Sequence, residues 1–130
     1  MLLIDAANVV GSRPTGWWRD RPGAARAFVE QVSAAAATGR LPASVVVVLE
    51  GKARDGVPAG VHDGVTVLHA AGSGDDALVD VIGGTTDQVT LVTADRVLRQ
   101  RAQALGASAV GPGWLLGLLE ECAADDHPDR

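Results

Sequence analysis

Short apolar runs alternate with longer amphipathic stretches along this chain. Leu2–Ile4 reads as a buried strand ending at Asp5, and Ser44–Leu49 carries four consecutive valines, as a parallel strand covered on both faces should. Val65–His69, Val89–Thr93 and the short Ser108–Val110 are three further strand candidates. Helical stretches separate them. Pro22 is placed as the first residue of a helix over about 23–38, with Gly39 as its stop. Ser73 or Asp75 caps a second helix that runs to about Ile82 and halts at Gly83-Gly84. Asp95 caps a third over 96–105, and Gly113 opens a fourth that reaches Cys122. Strands alternating with helices predict one α/β domain built on a parallel sheet of about five strands with right-handed crossovers. The domain is expected to occupy residues 1–122, followed by a polar, fraying tail over 123–130. In the last helix, Trp114, Leu115, Leu118, Leu119 and Cys122 fall at helical spacing. That face is expected to pack on the sheet, with a homodimer seam as the alternative.

Composition narrows the class. With 130 residues, 47% hydrophobic and 21% charged, the chain suits one globular domain and is neither disordered nor fibrous. No apolar run approaches the roughly 18 residues of a membrane span. Met1 runs directly into Leu2-Leu3-Ile4 without a basic leader, and the lone Cys122 excludes an internal disulfide or a cysteine-rich zinc module. A cytoplasmic location is expected. The net charge of −5 conceals an uneven distribution. Three acids lie in the tail, and six more (Asp5, Glu50, Asp75, Asp76, Asp80, Asp95) fall at strand ends or on the helix that follows the third strand. Without these nine and Arg130, ten basic residues face seven acidic ones, a body of about +3 around one acidic hole.

Those six acids carry the candidate chemistry. Asp5, Glu50 and Asp95 lie at, or within two residues after, the carboxyl end of a predicted strand, the edge where open parallel sheets bind ligands. Asp75 and Asp76 open the next helix, and Asp80, four residues after Asp76, shares its helical face. Singly, Asp75 and Asp95 also read as helix caps, Asp80 as a solvated residue and Glu50 as a loop residue. Four segments delivering acids to one edge favour a shared metal centre. Carboxylates without a His/Cys set select a hard cation, Mg²⁺ or Mn²⁺, over zinc. No Ser/His/Asp arrangement competes: His62, His69 and His127 lack a matching acid and nucleophile.

The loop after the first strand, Gly11–Arg21, lies beside this edge by connectivity. Arg13, Arg19 and Arg21 can neutralise phosphates there, and Trp17 or Trp18 can stack an unpaired base. The other reading has at least one tryptophan anchoring the loop. Lys52 and Arg96 are further cations near strand ends.

Four segments resemble the NYN domain group of the PIN-like nuclease superfamily. Leu2-Leu3-Ile4-Asp5-Ala6-Ala7-Asn8 is similar to its opening strand with Asp-x-x-Asn, and Gly74-Asp75-Asp76-Ala77-Leu78 to its paired acids. Leu91-Val92-Thr93-Ala94-Asp95 resembles its Thr-x-Asp signature, and Val48-Leu49-Glu50-Gly51-Lys52 the apolar-Asp-Gly-Lys segment of related flap nucleases, with Glu for Asp. The likeness spans about residues 2–111. It implies a three-layer α/β/α fold and hydrolysis of RNA phosphodiesters assisted by Mg²⁺ or Mn²⁺. On that basis Asp5, Asp76 and Asp95 would be the principal metal acids, with Asp75 the adjacent alternative. Glu50 and Asp80 would be outer or second-metal ligands, and Asn8 and Thr93 would orient the carboxylates by hydrogen bonding. Two other functions use the same residues. One is a nucleotide phosphohydrolase with the tryptophan loop as a lid; the other is an RNA-binding module without catalysis.

Overall fold

The computed structural model describes residues 1–125. Its element order is β1 (Leu2–Asp5), α1 (Ala6–Gly11), a 3-10 helix (Trp17–Arg19), α2 (Arg21–Ala37), β2 (Val45–Leu49), a second 3-10 helix (Gly51–Gly56), β3 (Gly60–His62), β4 (Val65–His69), α3 (Gly74–Gly83), β5 (Thr90–Val92), α4 (Arg96–Ala104), β6 (Ser108–Val110) and α5 (Pro112–Asp125). The six strands form one sheet in the order β3-β4-β2-β1-β5-β6. Five are parallel, as expected, and β3 adds an antiparallel edge that was absent from the sequence reading. Gly60–His62 lacks a continuous apolar face, because Val61 points outward at the sheet edge.

Alternation along the central strands builds the three layers. Leu2, Ile4, Val45, Val47, Leu49 and Val92 pack with Phe28, Val32 and Leu115 of α2 and α5 on one face. Leu3, Val46, Val48 and Leu91 pack with Leu78, Ile82, Leu98 and Ala102 of α3 and α4 on the other. A strand with period-two side chains and both faces covered has no polar side, hence the unbroken valines. Helix ends follow local chemistry. Asp20 accepts from the Gly23 N–H at 2.9 Å to start α2, and Ser73 accepts from the Asp76 N–H at 3.3 Å to start α3. Gly39 and Gly106, at φ 81° and 89°, turn the chain out of α2 and α4 in the left-handed conformation that glycine adopts without strain.

Leu115, Leu119 and Cys122 are buried in the core and Leu118 packs against it half-buried, as expected, whereas Trp114 is exposed. The helix continues three residues past the expected domain end at 122. Residues 126–130 of the expected tail lie outside the described residues. Among the described residues no helix is long and apolar enough to cross a membrane.

The strand order places β1 between β2 and β5, so the chain winds outward from β1 in both directions. This is the topological switch point, and the crevice beyond the carboxyl ends of β1 and β5 is the ligand position such sheets favour.

Candidate metal centre

Asp5 ends β1 and caps α1, a six-residue helix missed in the sequence because Ala6–Gly11 is too short for a periodic signal. One Asp5 carboxylate oxygen accepts from the Asn8 backbone N–H at 3.3 Å. The other accepts from the Thr93 hydroxyl at 3.0 Å, across to the end of β5. The fully buried Thr93 oxygen accepts in turn from the Asp95 N–H at 3.2 Å, and Asp95 caps α4 by accepting from the Leu98 N–H at 3.0 Å. The Asn8 side-chain oxygen accepts from the Ala94 N–H at 2.8 Å. Two adjacent strand ends, two helix N-termini and two acids are thus joined by one hydrogen-bond network.

Glu50 reaches the same edge from β2, where its carboxylate accepts from the Gly74 N–H at 2.8 Å and ties the strand end to the first turn of α3. A side chain at Gly74 would press on that carboxylate, so glycine keeps it seated. Burial pushes the Asp5 carboxyl up to about 6. The Thr93 and Asn8 donors pull it down, and the negative charges of Asp75 and Glu50 push it further up. Asp75 is also raised, first by burial, then by Asp95 and Glu50. The charges of Glu50, Asp75 and Asp95 thus act at this edge together with Asp5, and Asp76 adds a smaller push on Asp75.

Asp76 and Asp80 take other positions. Asp76 is exposed and bonds Arg101 of α4 at 3.3 Å, while Asp75 beside it is half-buried. One residue of helix rotates a side chain by about 100°, and Ser73, not Asp75, is the cap that sets this phase. Asp80 is exposed about one turn further along α3, roughly 6 Å from Asp76 along the axis. Among the described residues, no three Asp, Glu, His or Cys side chains are gathered closely enough to enclose an ion. Arg101 of α4 acts on both paired acids: it bonds Asp76 and offsets the repulsion at Asp75. Only its packing against α3 reveals this.

The cations divide similarly. Trp18, Arg19, Arg21 and Lys52 line one cavity of about 330 Å³ together with Asp20 and Pro22. Arg13 instead donates to Gln31 at 3.0 Å, and Arg96 is exposed in the first turn of α4. The tryptophans split their roles. Trp17 is half-buried against Gly11 and anchors the loop, while Trp18 stands 57% exposed, edge-on to it with ring centres 6.0 Å apart. Arg21 lies 5.5 Å over the Trp17 ring and Arg19 5.9 Å over that of Trp18. Neither histidine within the described residues is poised for chemistry. His62 and His69 meet the backbone oxygens of Pro58 and Val57 at 2.6 and 2.7 Å.

Thr93→Val tests the network because it keeps the shape and removes the hydroxyl. Asp5 then loses a donor and the Asp95 N–H an acceptor. The expected result is a loss of about 1–3 kcal/mol in denaturant-measured stability.

No family model and no curated protein matches this chain in sequence. Solved structures do match its fold. Rae1 (YacP) from Bacillus subtilis superposes with a TM-score of 0.75 at 17% identity, over 96% of this chain and 76% of that one. Its W164L mutant gives 0.70 at 18% identity, over 95% and 77%. At such identity the likeness is one of architecture: this chain has the three-layer α/β/α fold of Rae1.

Proposed function

We propose that this chain is a metal-dependent endoribonuclease of the NYN group, hydrolysing RNA phosphodiester bonds at the β1–β5 edge. The observation that carries the reading is the convergence of acids from four separate segments at the switch point, where Asp75 and Glu50 push the Asp5 carboxyl up and Asp95 and Glu50 push that of Asp75 up. Repelling carboxylates at one edge destabilise a protein unless a cation lies among them. The donor set is oxygen alone, which suits Mg²⁺ or Mn²⁺. A closed cage of protein ligands is not what this edge offers. Mg²⁺ binds through one or two carboxylates and keeps several waters, and the open arrangement fits that habit.

Asp5 and Asp95 would hold the ion, with Asp75 and Glu50 as its outer partners. The chemistry such an ion supplies when bound is polarisation of the phosphodiester and acidification of water. The residues of the chain do the rest. Thr93 and Asn8 fix the Asp5 carboxylate and the 93–95 turn, and Arg19, Arg21 and Lys52 neutralise phosphates of the incoming strand. Loss of the Thr93 hydroxyl should lower cleavage by about 10–100-fold, the range for groups that orient a metal's ligands.

The test is incubation of the purified protein with labelled single-stranded RNA and Mg²⁺ or Mn²⁺, against a chelated control. Cleavage in the metal arms only is expected, and intact RNA in every arm would refute the reading. Phosphate released from nucleoside triphosphates, with the RNA intact, would point to the phosphohydrolase instead. Asp75→Asn and Asp76→Asn, compared in the same assay, separate the paired acids. Asp75→Asn should lower the rate by at least about tenfold. Asp76→Asn, which breaks only an exposed ion pair with Arg101, should change it by less than about threefold.

A further inference from the structure

Beside the acids lies an apolar cavity of about 430 Å³, between α1, the first turns of α2 and the 3-10 helix after β2. Ala6, Ala7, Val10, Ala24 and Ala53 contribute walls, and Trp17 adds an aromatic one. Small side chains on three elements leave open a space that larger ones would fill, and its size is that of small-ligand pockets, roughly 300–1,000 Å³. Glu50 stands on its border and couples it to Asp5 and Asp75. Arg21 stands on another border and also lines the basic cavity of Trp18, Arg19 and Lys52. Acids, apolar slot and cations are therefore contiguous through shared residues.

We infer that the apolar slot takes one unpaired nucleobase, with a phosphate of the same strand held by Arg19, Arg21 and Lys52. The inference rests on the RNA reading above and deepens it: the substrate is single-stranded around the cleaved bond. A base in a duplex keeps its faces stacked and cannot enter a walled slot, whereas an unpaired base exchanges water for the Trp17 ring and the alanine walls. Charge complementarity selects the occupant. An apolar ring carrying a phosphate matches a slot with Arg21 on its border and Arg19 and Lys52 in the adjoining cavity, where three cations outnumber the one acid, Asp20.

The test is equilibrium binding in chelator, so that no cleavage intervenes. The probes, about 10 nucleotides long, are a single-stranded RNA, the same sequence as a duplex and an abasic sugar-phosphate backbone. The single strand should bind about tenfold or more tightly than either of the others. Ala24→Leu and Ala53→Leu, which fill the slot from two elements, should each erase that preference while leaving abasic binding unchanged. A thermal melt checks that each variant is folded. Equal binding of the three probes by the wild-type protein would overturn the inference without any variant. So would a preference that survives both fillings, or a mononucleotide binding as tightly as the oligomer. Cleavage with Mg²⁺ or Mn²⁺ is scored separately. RNA cut without single-strand preference sinks the slot and spares the nuclease, and preference without cutting does the reverse.

Discussion

Asp5→Asn is expected to abolish RNA cleavage and, at neutral pH, to raise the melting temperature of the metal-free protein. The two effects share one cause. Asp5 is buried, with a carboxyl pushed up to about 6 from an ordinary 3.8, so the fold prefers its protonated form. The sign follows from proton linkage. Below pH 4 the group is protonated whether the chain is folded or not, and its charge costs nothing. Between pH 4 and 6 the unfolded chain releases the proton and the folded chain retains it, so stability falls as pH rises. Above 6 the loss is complete, at most about 3 kcal/mol for a shift of this size. Asn carries no charge and can still accept from the Asn8 N–H as the helix cap. The variant should therefore melt roughly 3–10 °C higher than the parent at pH 7.5, converge with it near pH 4 and show a flatter pH dependence between. Cleavage should fall by at least about 100-fold, because an amide neither balances a cation's charge nor binds it comparably. Calorimetry across pH with a parallel cleavage assay checks both. An Asp5→Asn protein less stable than the parent at pH 7.5 would mean that the carboxylate is not under electrostatic stress.

Gly56→Ala should be the most damaging single-methyl change in the chain. A Cβ at Gly56 would collide with the backbone carbonyl of Pro22, in the first turn of α2. Backbone cannot rotate aside as a flexible side chain does, so the 3-10 helix 51–56 must shift off α2. Overpacking of this kind costs typically about 1–3 kcal/mol and more where rigid groups meet. The displaced helix also carries Lys52 and Ala53, so the basic cavity and the apolar slot should lose definition along with stability. Gly83→Ala is the control. It sits at the end of α3 with nothing near the added methyl, and it should leave stability within about 1 kcal/mol of the parent. Chemical denaturation of both variants gives the comparison, and equal midpoints would overturn the packing argument.

The parallel strands and four long helices were legible because each has a signal inside its own span: an apolar run, a cap or a terminating glycine. Asp20 before Pro22, Ser73 before Asp76 and Asp95 before Leu98 bond locally, within three residues. Elements without such a signal stayed hidden. Helix α1 is one and a half turns long, and β3 is ordered by pairing with β4. The candidate centre was half legible. Asp5, Glu50 and Asp95 could be placed at strand ends because a strand end is a position in the sequence. Asp75 and Asp76 could not be told apart, because their difference is one of helix phase and of an Arg101 lying 25 residues away.

The residues alone determined an α/β domain on a parallel sheet, since apolar strands and capped helices are short-range physics that survives in any context. They also determined that acids gather at one edge, because chain direction in a parallel sheet sends every strand's carboxyl end the same way. Tertiary structure decided which acids oppose one another, which cations share a cavity with Trp18, and that small side chains from three elements leave a slot beside Glu50. Those properties depend on distances between segments far apart along the chain, and such distances exist only once the helices have packed.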